Sequence, residues 1–277
     1  MKEETGYFTS FDGTKLFYRA WEKNTDSALL IVHGFGEHSG RYEELVESLE
    51  SLELSVFTFD LRGHGHSEGR RVYVDQFDHL VEDLYRFRSF IDGRNPKRDR
   101  SFVLFGQSLG GLIAASAAVR DENSWRALII LSPFFGVSLG HRILGALSAV
   151  LGRFFPRVVW QNPVRPLFLT HDPEEVERFK HDPLIQRRIT LRMANEMFRG
   201  CHAAWASTKR LGLPALFLVA GSDRIVSTGS AKRFFERTFS GAKEIKVFSG
   251  AYHELLHETN RAETFAAIKD YLVRLKL

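Results

Sequence analysis

Cysteine is almost missing from this 277-residue chain: Cys201 stands alone, so no intramolecular disulfide can form. A chain of this length does not need such a staple, because it can bury one large core. Long apolar runs are missing as well, and nothing approaches the roughly 18 consecutive apolar residues that a membrane-spanning helix requires. The opening stretch, MKEETGYFTSFDG, lacks the apolar segment of a secretory signal. These absences lead to the expectation of a reducing, cytoplasmic setting in which any membrane contact is peripheral. A dense Lys/Arg stripe interleaved with aromatics is also lacking, so the net charge of +4 does not point to nucleic acid. The excess is unevenly placed: residues 133–208 hold ten basic and six acidic side chains, which accounts for all of it.

What is present is an alternation. Tyr7 to Phe11, an Asp12-Gly13 turn and Leu16 to Trp21 read as a hairpin. The runs 28–32, 56–59, 102–105, 128–131, 215–219 and 245–248 are short, continuous and rich in β-branched or aromatic residues, as buried parallel strands are. Between them, Tyr42, Leu45, Val46, Leu49 and Leu52 follow helical spacing, as do Phe77, Leu80, Val81, Leu84, Phe87 and Ile91, and later Phe265, Ile268, Leu272 and Leu275. Strands alternating with helices imply a mostly parallel central sheet with helices on both faces. Residues 133–208 break the rhythm. They carry six prolines and no core-strand run, and read as an inserted helical cap between a core made of 1–132 and 209–277.

Gly106-Gln107-Ser108-Leu109-Gly110 follows the run FVLF directly and opens the helical run LGGLIAASAAV. That is the strand, turn and helix setting of a nucleophile elbow, in which small flanking residues let a strained turn lift the serine hydroxyl above the sheet. A serine hydroxyl needs a histidine to take its proton and a carboxylate to orient that histidine. After such an elbow the expected chain order is acid, then histidine. Asp223, in GSDRIV after a strand, and His253, in GAYHELLHE after the next, fit in that order. His33-Gly34-Phe35-Gly36 follows the run LLIV, so the N–H groups of Phe35 and Leu109 are the expected oxyanion donors, with His33 bracing the loop.

Three patterns imitate other chemistry. His253-Glu254-Leu255-Leu256-His257 satisfies the HExxH zinc-protease pattern, but that chemistry needs both histidines one turn apart on a helix and a third ligand, whereas this segment follows a strand and a turn. His64 and His66 in DLRGHGHS read as part of a structural loop and not as a metal pair. Cys201-His202 has no oxyanion loop beside it and reads as a packed cap cysteine.

Taken together, HGFGEHSGRY, FDLRGHGHSEGRR, FGQSLGG, AGSDRIV and GAYHELLHE, spanning residues 33–258, resemble the monoacylglycerol lipase and lysophospholipase branch of the α/β hydrolases, and HDPL at 181–184 resembles a cap motif of that branch. The resemblance implies an α/β-hydrolase fold and an enzyme without cofactor or metal. It implies a lipid monoester as substrate and Ser108, Asp223 and His253 as the matching triad. Gln107 departs from the histidine often found before the nucleophile, and Phe35 is bulkier than usual at its place; both bear on acyl-chain and head-group preference. A peptidase or a transacylase uses the same scaffold, while a zinc metallopeptidase or a non-catalytic binding protein is the reading from another class. In HRILGALSAVLGRFFPR, Ile143, Leu144, Leu147, Val150, Leu151, Phe154 and Phe155 fall on one broad helical face flanked by Arg142, Arg153 and Arg157. Such a face packs on the core, roofs an acyl pocket, or lies on lipid as a peripheral membrane contact through the cap, and a combined arrangement has part of it lining the acyl entrance while the rest meets lipid.

Overall fold

The computed structural model of the protein describes residues 1–137, 152, 154–161 and 164–276. The described strands are β1 (Glu4–Thr9), β2 (Lys15–Trp21), β3 (Ser27–Val32), β4 (Ser55–Phe59), β5 (Ser101–Gln107), β6 (Ala127–Leu131), β7 (Val159–Gln161), β8 (Arg188–Thr190), β9 (Ala215–Ala220) and β10 (Lys243–Phe248). Eight of them form one sheet in the order β1-β2-β4-β3-β5-β6-β9-β10. β1 and β2 pair antiparallel, as do β2 and β4; every pairing from β4 through β10 is parallel.

Each inner strand is apolar on both faces because both faces are covered. Leu30 and Val32 of β3 enter one cluster, and Leu29 and Ile31 enter the other. The α-helices whose bounds lie within the described residues are α1 (Glu43–Ser48), α2 (Phe77–Arg94), α3 (Leu109–Arg120), α4 (Pro173–His181), α5 (Leu191–Ser207), α6 (Thr228–Arg237) and α7 (Arg261–Arg274). Leu84 and Phe87 of α2, Leu112 and Ile113 of α3 and Phe234 of α6 join the first cluster. Leu45 and Val46 of α1 and Ile268 and Leu272 of α7 join the second.

Between β6 and β9, adjacent strands in the sheet, the chain makes its long departure. Its described part is not wholly helical as its composition suggests, because β7 and β8 pair antiparallel as a separate two-stranded ribbon. Strands of three residues, mostly exposed, leave no period to read in the sequence. α5 is seated firmly on the core: Gly200 lies so close to Phe77 that a Cβ there would approach the ring to 2.6 Å. Buried Glu196 of α5 accepts a hydrogen bond at 3.0 Å from the Phe77 N–H, one of the unpaired donors at the start of α2. Of the apolar stripe read at 143–155, only Phe154 and Phe155 are described, and Arg142 and Arg153 also lie outside the described residues.

Candidate active site

The turn after β5 is strained, and the glycines allow it. Ser108 has φ 52° and ψ −114°, a region L-residues avoid. A Cβ on Gly106 would stand 2.3 Å from the Gly110 carbonyl oxygen, and one on Gly110 would stand 2.0 Å from that of Val32. The turn is tied down on both sides, since the Ser108 N–H donates to Leu131 O at 2.9 Å and the Ser108 carbonyl accepts from Phe134 N at 3.0 Å. Ser108 therefore stands at the C-terminal end of β5, partly exposed.

Asp223 and His253 come from the loops after β9 and β10, which are neighbours in the sheet. His253 Nδ1 lies 2.7 Å from Asp223 Oδ2, and both side chains are almost wholly buried. The other carboxylate oxygen accepts from Ile225 N at 2.8 Å and Val226 N at 2.9 Å, so the plane of the carboxylate is fixed by its own loop. A carboxylate only accepts, so Nδ1 carries the proton and Nε2 is left as the basic nitrogen. Burial pushes the imidazole toward its neutral form, but the Asp223 charge and hydrogen bond outweigh this and hold the His253 pKa above its ordinary value. Among the described residues no hydrogen bond joins Ser108 to His253; such contacts often tighten only when substrate is bound.

The 33–36 loop lies against the same turn, since a Cβ on Gly34 would come within 3.3 Å of Ser108 Cβ. Among the described residues, neither the Phe35 nor the Leu109 N–H donates a hydrogen bond. His33 braces this loop: its Nε2 accepts from Leu61 N at 2.8 Å and its Nδ1 lies 2.7 Å from Gly34 O. Complete burial lowers its pKa to about 3, so it is neutral. The DLRGHGHS loop is organised by buried Asp60, which accepts from Ser39 N and Oγ and from His66 N at 2.6–2.7 Å. His64 is buried and neutral, with its pKa lowered by burial to about 3, whereas His66 is exposed. Cys201 is buried and burial pushes its thiol up to about 12, so it holds no thiolate.

Beneath the two loops lies a charged cluster to which the sequence reading gave no role. Glu37 Oε1 accepts from the Gly34 N–H and, at 2.9 Å, from Tyr42 Oη. Arg41 contacts Glu254 at 2.6 Å and Glu37 at 3.5 Å, and all three are buried. The nearer guanidinium holds Glu254 ionised against the pull of burial, whereas burial and the Glu254 charge drive Glu37 upward. His257 is part of this cluster, its Nδ1 3.1 Å from Glu254 Oε2 and its Nε2 3.1 Å from Arg41 O. Residues 255–257 form a single 3-10 turn and not an α-helix. The two histidines of HELLH thus face different partners, and among the described residues no group of three His, Cys, Asp or Glu side chains is arranged to hold a metal ion.

A family model described as serine aminopeptidase, S33 matches residues 23–260. Human monoglyceride lipase is 31% identical over 263 residues, covering 92% of this chain and 85% of that protein. Escherichia coli YnbC is 29% identical over 97% of this chain, which spans only 46% of YnbC's length. The crystal structure of Paleococcus ferrophilus monoacylglycerol lipase superposes with a TM-score of 0.81 at 30% identity, covering 99% of this chain and 100% of that one.

Proposed function

The chain belongs to the serine aminopeptidase S33 family of α/β hydrolases, in the branch that holds the monoglyceride lipases, and from that premise we propose that it hydrolyses the carboxylic ester bond of fatty-acyl monoesters, a monoacylglycerol or a lysophospholipid, through an acyl-enzyme on Ser108. The observation that carries the reading is the buried His253–Asp223 pair at the ends of β10 and β9, beside the strained Ser108 turn at the end of β5. Ser108 Oγ attacks the ester carbonyl while His253 Nε2 takes its proton. The carbonyl oxygen, now negative, is met by the Phe35 and Leu109 N–H groups, each fixed donor contributing about 3–4 kcal/mol in the transition state. Collapse expels the alcohol, which receives the proton from His253. Water then attacks the acyl-enzyme, with His253 again the base and Ser108 released.

Residues 133–208 act in this reading as the cap over the site. A panel of monoacylglycerols, lysophospholipids, p-nitrophenyl esters of rising chain length and an N-terminal prolyl amide tests the proposal. Turnover of the lipid monoesters is expected, with fluorophosphonate labelling of Ser108. Cleavage of the amide alone would establish a peptidase instead, and acyl transfer to added alcohol in place of hydrolysis would establish a transacylase.

The metallopeptidase alternative gives a second expected result. Dialysis against EDTA leaves activity unchanged, and His257→Ala lowers kcat by about ten-fold or less while His253→Ala lowers it by about 10⁴-fold or more. The His257 change costs about 1–3 kcal/mol of stability instead, since it strips buried partners from Glu254 and Arg41. Stoichiometric zinc in the purified protein, with activity lost on its removal, overturns the assignment.

The cap also presents a lipid-facing surface in this reading. Phe154 and Trp160 are 69% and 55% exposed, and Phe155, Val158, Val159 and Leu167 are exposed with them. Arg157, Arg165 and Arg188 are exposed around this patch, so anionic head groups have cations to meet. No helix among the described residues is long and apolar enough to cross a membrane. Co-sedimentation with phosphatidylcholine vesicles containing phosphatidylglycerol is expected for the wild type and lost in Phe155→Asp/Trp160→Asp, with hydrolysis of a soluble short-chain ester preserved. Equal sedimentation of the two proteins refutes the surface.

A further inference from the structure

The loop that carries the Phe35 N–H is held from three directions, and one of them does not come from the hydrolase core. From below, Glu37 accepts from Gly34 N; from the side, His33 accepts from Leu61 N. From above, the 182–186 segment that follows α4 makes two bonds. Gln186 N donates to Gly36 O at 2.7 Å, and His38 Nε2 lies 2.8 Å from Asp182 Oδ2. The approach is close enough that a Cβ on Gly36, which has φ +82°, would stand 2.9 Å from Gln186 O.

The His38–Asp182 contact is preset on both sides. His38 Nδ1 accepts from Gly40 N at 3.2 Å, capping the 3-10 turn Ser39–Tyr42, so the imidazole proton sits on Nε2 and points to Asp182. Asp182 Oδ1 accepts from Leu184 N at 2.8 Å, which turns Oδ2 toward His38, and the Asp182 N–H closes the end of α4 on Arg178 O. The His38 side chain is 9% exposed and that of Asp182 23%, so the bond is largely shielded from water. Phe35 thus lies between Gly34, tied to the core through Glu37, and Gly36 and His38, which bond to the insertion.

We infer that His38 and Asp182 are positioning residues: the 182–186 segment of the insertion sets the place of the Phe35 N–H, so the oxyanion hole is completed by the insertion and not by the core alone. This rests on the hydrolase reading above. A donor displaced by a fraction of an ångström still binds the ground-state ester but meets the transition state poorly, so the loss falls on kcat.

The test is a double-mutant cycle in the full-length protein with p-nitrophenyl butyrate, joined to hydrogen exchange of the peptide covering residues 33–40. Asp182→Ala is expected to lower kcat about ten-fold with KM changed less than about two-fold, a smaller loss than the roughly 10²–10³-fold of deleting a donor outright. In the His38→Ala background Asp182→Ala costs nothing further, because the pair acts as a unit. Exchange of the 33–40 peptide quickens in Asp182→Ala and stays at the wild-type rate in Lys180→Ala, two residues earlier in the last turn of α4. Unchanged kcat in Asp182→Ala, losses that multiply in the double variant, or wild-type exchange of the loop in Asp182→Ala each overturn the inference. A wild type inactive on every ester counts against the hydrolase reading, and the exchange comparison then decides the latch on its own.

Discussion

Ser108→Ala lowers ester turnover by roughly 10⁶-fold and abolishes fluorophosphonate labelling, with the fold retained. The size follows from the division of labour: without the nucleophile no acyl-enzyme forms, and only the oxyanion donors and substrate binding remain to accelerate direct attack by water. The fold survives because the Ser108 turn is held by its backbone, through Leu131 O and Phe134 N, and not by the hydroxyl. A companion substitution separates strain from chemistry. At φ 52° and ψ −114° a Cβ costs about 1–3 kcal/mol, and glycine removes that cost while adding about 0.4–1 kcal/mol of unfolded-state entropy. Ser108→Gly is therefore inactive but about 1 kcal/mol more stable than Ser108→Ala in urea denaturation. Turnover near the wild-type rate in purified Ser108→Ala removes the serine from its assigned role, and a glycine variant less stable than the alanine one removes the strain.

Asp223→Asn lowers kcat by about 10⁴-fold, through the tautomer and not through loss of a contact. Ile225 and Val226 N–H both point at Asp223 Oδ1 and hold an oxygen there. An asparagine satisfying them must turn its NH₂ toward His253, whose Nδ1 then becomes the acceptor, and the proton moves to Nε2 where the base is needed. The pH profile separates this from simple unfolding. In the wild type Asp223 raises the His253 pKa, and the base acts only when neutral, so kcat/KM falls as pH drops through a pKa raised above the ordinary histidine value. Without the charge at 223 that acid limb moves to lower pH. A variant with the wild-type acid limb, or with kcat within ten-fold of wild type, shows that Asp223 does not orient the base.

The strained Ser108 turn and the places of Asp223 and His253 beyond strand ends were legible because each is a local event: a strand, a turn carrying a small set of residue types, and the start of a helix or loop. Gly106 and Gly110 carry that signal for steric reasons the structure makes explicit, since a Cβ at either would enter a backbone oxygen. HELLH was separated from a zinc site on the same local grounds, and the single 3-10 turn at 255–257 agrees with that separation. The partners of Glu254 and His257 were not legible. Arg41 lies 213 residues from Glu254, and His38 lies 144 residues from Asp182. Nothing in the local spelling of either segment announces the other.

By itself the sequence determined the alternation of strands and helices, the GxSxG turn and the order of serine, acid and histidine, because hydrophobic periodicity and turn sterics act over a few residues. The tertiary structure alone decided the strand order β1-β2-β4-β3-β5-β6-β9-β10, which sets the loops after β9 and β10 side by side so that Asp223 meets His253. It also decided the ribbon of β7 and β8, the Glu37–Arg41–Glu254 cluster and the latch from His38 to Asp182. Such contacts depend on how the whole chain crosses over the sheet, and side chains separated by so many residues carry no period or motif that records their meeting.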